Sequence, residues 1–283
     1  MKTRPTPYPG TKKLFWKLGA CSTTLFHILN REFGHELGVE AGRAAFPLAG
    51  GIMRKGHQCG ALWGAALAAG AESFRRSTDR GRAVTLAVTA TQSLVDSFTA
   101  RTGTVSCRKI TRCNWMNPFS IAKYMVSGGI PRCFTLVDQW APEAFAAADD
   151  ALTRAAASSL PPAATSPQGI SCATEVAKRI GAGDEEAITV AGFAGGLGLS
   201  GDGCGALAAA IWVKSLAWCR ENPKNRNLSN PYAKKLIKAF ASETGGEILC
   251  HKICGRHFKT PDEHTDFMNN KGCDKLLQAL AQA

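Results

Sequence analysis

Four cysteines of the first half of this chain, Cys21, Cys59, Cys107 and Cys133, recur in the second as Cys172, Cys204, Cys250 and Cys273. The order is the same and the intervals are close: 38 and 32 residues to the second member, 48 and 46 to the third, 26 and 23 to the fourth. Thiols can exchange with a disulfide, ligate zinc or hold an iron–sulfur cluster. Packing alone would accept alanine, valine or serine at such places. A set of four that repeats therefore asks for sulfur chemistry rather than for small hydrophobes.

The second member of each set sits in the most recognisable block. Gly50–Leu62 aligns without a gap on Gly195–Leu207, with seven of thirteen positions identical. Downstream, Phe98 to Gly103 leads into Cys107, as Phe240 to Gly245 leads into Cys250. Three glycines before Cys59, followed by Ala, Leu and Trp, predict a loop that enters a helix with the cysteine at its first turn. Free backbone N–H groups there stabilise a thiolate, so Cys59 and Cys204 are the candidate activated nucleophiles. Arg54, Lys55 and His57 are expected to help at Cys59, and Asp202 to oppose the effect at Cys204. Gly60, Ala61 and Gly64 predict a close approach by another helix, bringing distant cysteines into bonding range. In the second copy Ala209 stands where the first has Gly64.

The run Cys59-Gly60-Ala61-Leu62-Trp63-Gly64 is the pattern C-G-A-x-x-G. With Cys21 before it and Cys107 and Cys133 after it, the first half resembles the CGCAxxGCC family of redox-active proteins, named for its four cysteines. The second half resembles another copy through Cys172, Cys204, Cys250 and Cys273. The resemblance implies a redox role resting on these thiols: Cys59 and Cys204 as thiolates, with the other six as exchange partners. Such a protein needs no cofactor. Two other readings stay open: the same eight cysteines as ligands for zinc or an iron–sulfur cluster, and a non-catalytic helical interaction protein.

Three cysteines, Cys113, Cys219 and Cys254, stand outside the repeat. Cys250, Cys254 and His257 could present C-x3-C-x2-H to a metal from one helix face, a minor candidate because Thr111 replaces the second member in the first half. No C-x-x-C occurs, and the histidines are expected at surfaces or caps. There is no phosphate-binding loop, no dinucleotide fingerprint and no hydrolase constellation.

The elements that must position these sulfurs read as helices. Leu25, Ile28, Leu29 and Phe33 form one apolar stripe after Cys21, Ala173, Val176 and Ile180 a thinner one after Cys172, and Tyr232, Leu236, Ile237 and Phe240 another after Pro231. Val84 to Phe98 mixes strand-like alternation with helical spacing and is read as helix. A chain of 283 residues, 45% hydrophobic and 20% charged, excludes wholesale disorder and collagen-like sequence. The expectation is a mainly α protein of two tandem homologous helical bundles, 11–140 and 170–283, joined through an Ala/Pro/Ser-rich helix and linker at 141–169, with Pro142 in that helix's first turn. The segments Gly60–Gly70 and Ala187–Val213 read as buried small-residue helices rather than membrane spans.

The charge of +12 lies wholly in the first half, where residues 1–140 hold nineteen Lys and Arg against seven Asp and Glu. An acidic surface is thus a candidate partner for 1–140, beside a redox partner protein; nucleic acid is not expected. Leu18 to Cys21 mimics a lipoprotein box, but Lys17 breaks the apolar run that a signal needs, so a reducing cytoplasm is expected.

Overall fold

The computed structural model describes residues 8–157, 169–224 and 230–283, and the expected linker at 158–168 lies outside them. Among the described residues every regular element is helical. After α1 (Thr11–Leu18), two series of helices follow in matching order. The first runs α2 (Cys21–Glu32), α3 (Val39–Ala44), α4 (Gly60–Arg76), α5 (Arg80–Thr102), α6 (Cys107–Thr111), α7 (Pro118–Val126) and α8 (Gly129–Ala157). The second runs α9 (Cys172–Arg179), α10 (Asp184–Thr189), α11 (Gly205–Glu221), α12 (Pro231–Thr244), α13 (Cys250–Ile253), α14 (Pro261–Asn269) and α15 (Asp274–Gln282). The protein is mainly α, built as two tandem helical bundles. No described helix is long and apolar enough to cross a membrane.

Local chemistry explains the boundaries. Asn117 and Asn230 each accept backbone N–H bonds at the start of a helix whose first residue is proline. Helices α5 and α12 both stop on a left-handed glycine, Gly103 at φ 71° and Gly245 at φ 61°, which is why Thr-Gly recurs there. The ambiguous segment from Val84 to Phe98 is helical within α5. Its mixed pattern arises because α4, α8 and a 3-10 turn at Ala191–Phe193 all pack on this helix and bury more than one face.

Two expectations need correction. Pro142 lies inside α8, not in a first turn. An internal proline costs about 3 kcal/mol, offset here by a buried face of Val137, Trp140, Ala141, Ala144, Ala148 and Leu152. The start is Gly129, with Pro131 in the first turn. Likewise, Ala187–Val213 is not one helix: the chain leaves α10, makes the 3-10 turn and a glycine-rich loop, and only then enters α11.

The halves share one core. Phe26 meets Trp212 edge-on at 6.4 Å between ring centroids, and Trp63 meets Phe193 at 4.6 Å. A Cβ on Gly70 would fall 2.3 Å from Thr189 O, so α4 and α10 touch backbone to backbone. A single continuous cluster of buried side chains draws on both series of helices.

Candidate functional site

Helix starts converge on the recurring cysteines. Cys21, Cys107, Cys172 and Cys250 are first residues of α2, α6, α9 and α13, while Cys59, Cys204 and Cys273 are the N-caps of α4, α11 and α15. Cys133 lies in the first turns of α8.

The loop that delivers Cys59 and Cys204 is unusual. Gly50, Gly51, Ile52, Met53, Arg54 and Gly56 all have positive φ, and so do their counterparts Gly195, Gly196, Leu197, Gly198, Leu199 and Gly201. Left-handed backbone costs an L-residue roughly 1–2 kcal/mol, so a run of it that recurs has to be held from outside. Backbone bonds do this: Gly56 N to Gly50 O and Gly201 N to Gly195 O, both at 2.9 Å. The loop is then clipped to the third cysteine by bonds common to both halves. Cys59 N donates to Val105 O and Cys204 N to Ile248 O, each at 2.8 Å; Cys107 N donates to His57 O at 2.7 Å and Cys250 N to Asp202 O at 2.6 Å.

Close approach completes the gathering. A Cβ on Gly60 would lie 2.6 Å from Cys21 Sγ, and one on Gly64 only 2.0 Å from Ser22 O. In the first half Cys21, Cys59, Cys107 and Cys133 act on one another's ionisation. The Cys59 thiol donates to Cys21 and, with backbone N–H groups of Gly50, Ser22 and Cys21, holds Cys21 below the usual thiol range against burial. Cys59 is driven well up, as the donor to Cys21 and by its burial. Burial and the charges of Cys21 and Cys133 push Cys107 up to about 12. Cys133 is raised to about 11, mainly by burial, although the Tyr124 hydroxyl 2.9 Å away pulls it down.

In the second half Cys172, Cys204, Cys250, Cys254 and Cys273, together with His264, line one apolar cavity of about 10 Å³. Cys254, set outside the repeat by sequence, belongs to this cluster. Its Sγ is 3.7 Å from that of Cys250 and 3.5 Å from that of Cys273. Burial pushes Cys204 up to about 12 and Cys172 well above the ordinary range. No disulfide joins any of the eleven cysteines in this structure.

The helix starts anticipated at Cys59 and Cys204 are present, but at Cys59 the bond given to Cys21 and then burial outweigh the helix field, at Cys204 burial does, and the thiol held down in the first cluster is Cys21. Cationic help at Cys59 is also missing from what governs it: burial, Arg108 and Lys55 push His57 down, keeping it neutral. His257 does not join Cys250 and Cys254. Helix α13 ends at Ile253, Gly255 turns the chain at φ 68°, and His257 stacks on His251 with ring centroids 4.5 Å apart. Among the described residues no group of three His, Cys, Asp or Glu is placed as a metal cage. Cys219 lies apart, near Arg43, and Cys113 donates to Ser120 O at 3.7 Å.

Sequence reasoning missed two groups. An aromatic ring lies over a glycine five residues on in both halves, Tyr124 over Gly129 and Phe267 over Gly272, a recurrence visible as aromatic-x4-Gly. His264 is 2% exposed rather than at a surface or cap, and burial lowers it from 6.5 to about 4 although it is bonded to the Ile170 backbone. The unfolded chain therefore binds more protons between these values, and stability falls as pH drops from about 6.5 to about 4. The shift corresponds to about 3 kcal/mol. Urea midpoints across this window should slope for the native protein and lose most of that slope in His264→Gln; equal slopes would refute the assignment.

The halves meet at their sites. Buried Gln58, beside Cys59, donates from Nε2 to Gly196 O at 3.1 Å and Gly203 O at 3.3 Å, next to Cys204. A Cβ on Gly203 would lie 2.4 Å from Gln58 Oε1. Comparison with known proteins returns one family model, described as "Putative redox-active protein (C_GCAxxG_C_C)", which matches residues 20–144 and again 170–283. Searches of curated proteins and of solved structures return no match.

Proposed function

This chain belongs, by both of its halves, to the redox-active C_GCAxxG_C_C family, and from that premise we propose that each half stores two electrons as a dithiol/disulfide couple. The observation that carries this is the gathering of the recurring cysteines, near enough to shift one another's ionisation in the first half and around one cavity in the second. In the first half the couple is Cys21 with Cys59, the acidic thiol and its donor. Cys107 and Cys133 are its reserve partners. In the second half it is drawn from Cys250, Cys254 and Cys273, with Cys172 and Cys204 behind them. A low-lying Cys21 suits attack on a disulfide, because the thiolate is the nucleophile. A reducing compartment such as the cytoplasm suits the cycle, since spent couples must be reduced again.

The test is differential alkylation of the full chain poised at a series of thiol/disulfide potentials, read by mass spectrometry. Cys21 and Cys59 should be lost from the free-thiol pool together, as should a pair from the second-half trio, while the buried Cys219, labelled after unfolding, stays a free thiol throughout. If the recurring cysteines remain free thiols at every potential, the proposal is wrong.

A further inference from the structure

Each cluster holds two half-buried thiols beside its buried ones, but their surroundings differ. In the first, Cys59 and Cys107 are buried, Cys21 and Cys133 half-buried, and Tyr124 packs on Cys133, its hydroxyl donating to Gly129 O at 2.6 Å. Here Thr111 occupies the place of Cys254 and spends its hydroxyl on Cys107 O at 2.7 Å. In the second, Cys172, Cys204 and Cys250 are buried, but Cys254 and Cys273 are half-buried and face a cleft of about 720 Å³. That size suits a small molecule.

The three second-half thiols form a contiguous row, Cys250 against Cys254 and Cys254 against Cys273, in which either member of each pair can donate. Proton transfer along this row can leave the thiolate at its outer end, Cys273, which lines the cleft. Cys273 is the N-cap of α15, whose field favours negative charge, while its contact with Cys254 and its burial push the thiol up. On the cleft wall Lys252 pairs with Glu247, and Asp274 with Arg179. Lys271 and Lys275 have no ion-pair partner among the described residues, against Glu243 as the corresponding acid, so the wall favours an anionic guest.

Building on the thiol couple proposed above, we propose that this cleft is the entry site for a small disulfide bearing carboxylates, which Cys273 attacks and Cys254 resolves, passing the oxidised bond inward to Cys250. The Cys273 thiolate breaks the substrate S–S bond, forming a mixed disulfide and releasing one thiolate, which takes up a proton. Cys254, giving up its proton, attacks Cys273 Sγ and releases the second substrate thiol. The substrate gains two electrons and two protons, and the protein is left with a Cys254–Cys273 disulfide. Cys250 then attacks Cys254 Sγ, leaving Cys250–Cys254 and a regenerated Cys273 thiol. Each transfer joins sulfurs already within 3.7 Å.

The experiment is a single turnover of the fully reduced full chain with glutathione disulfide, counting released thiol and mapping adducts by mass spectrometry. Two thiols per disulfide should appear. Cys254→Ser should release one, with glutathione retained on Cys273; Cys273→Ser should slow the reaction at least tenfold; Cys219→Ser should behave as the native protein. Lys271→Glu with Lys275→Glu should weaken saturation by glutathione disulfide about tenfold while sparing uncharged hydroxyethyl disulfide. Glutathione retained on a first-half cysteine, or full release by Cys254→Ser at the native rate, overturns the entry site while leaving the Cys21–Cys59 couple standing. Thermal melts of each variant separate misfolding from lost chemistry, and Cys273→Ala replaces Cys273→Ser if the latter fails to fold.

Discussion

Gly64→Ala is expected to destabilise the protein by about 3 kcal/mol or more, well beyond what one added methyl in a helix should do. The new carbon would sit 2.0 Å from Ser22 O and 2.8 Å from Ser22 C. These are backbone atoms of α2, which cannot swing aside as a flexible side chain would, so the whole of α2 must retreat from α4. The converse change at the matching place, Ala209→Gly, should cost about 2 kcal/mol, the helix-propensity difference plus the lost burial of one methyl. Urea denaturation of the two variants side by side checks this. Similar small losses in both would mean that α2 does not need the approach. Since Cys21 begins α2, Gly64→Ala should also draw Cys21 away from Cys59 and remove its distinctive acidity.

Cys59→Ala is expected to slow alkylation of Cys21 at neutral pH by tenfold or more and to move the midpoint of its pH profile upward. The sign follows from the geometry: Cys21 is held down first by the donated Cys59 thiol, and only then by backbone N–H groups, against burial. A hydrogen bond to a charged acceptor is worth about 1.5–3 kcal/mol, hence one to two decades in thiolate population. Cys59→Ser keeps a donor and should restore most of the rate. The measurement is the iodoacetamide rate at Cys21 against pH in the three proteins. Equal profiles in all of them would remove the donor role from Cys59.

Much of this site can be read from residue order. Recurring cysteines, the Thr-Gly stops and the glycine block mark where helices begin and end, because each is a local requirement: a free N–H group, a left-handed residue, a missing Cβ. What escaped depends on distant partners. Ile52, Met53 and Arg54 give no local reason for positive φ; the bonds from Gly50 and Gly51 across to Gly56 and His57 impose it. Cys254 was set apart because nothing in the first half matches it, yet the turn at Gly255 and the left-handed Cys273, at φ 59°, bring the two sulfurs together. Pro142 hid inside a long helix because the burial around Trp140 exceeds the penalty of a lost backbone bond.

The contact of Gly70 with Thr189, the ring pairs Phe26–Trp212 and Trp63–Phe193, and the reach of Gln58 to Gly203 make the doubling irreversible. Cut between its copies, the polypeptide would leave two fragments with wet, open flanks, each a lock missing its key. Joined in one chain, the two flanks stay at a high effective concentration, so neither copy has to find its companion in solution.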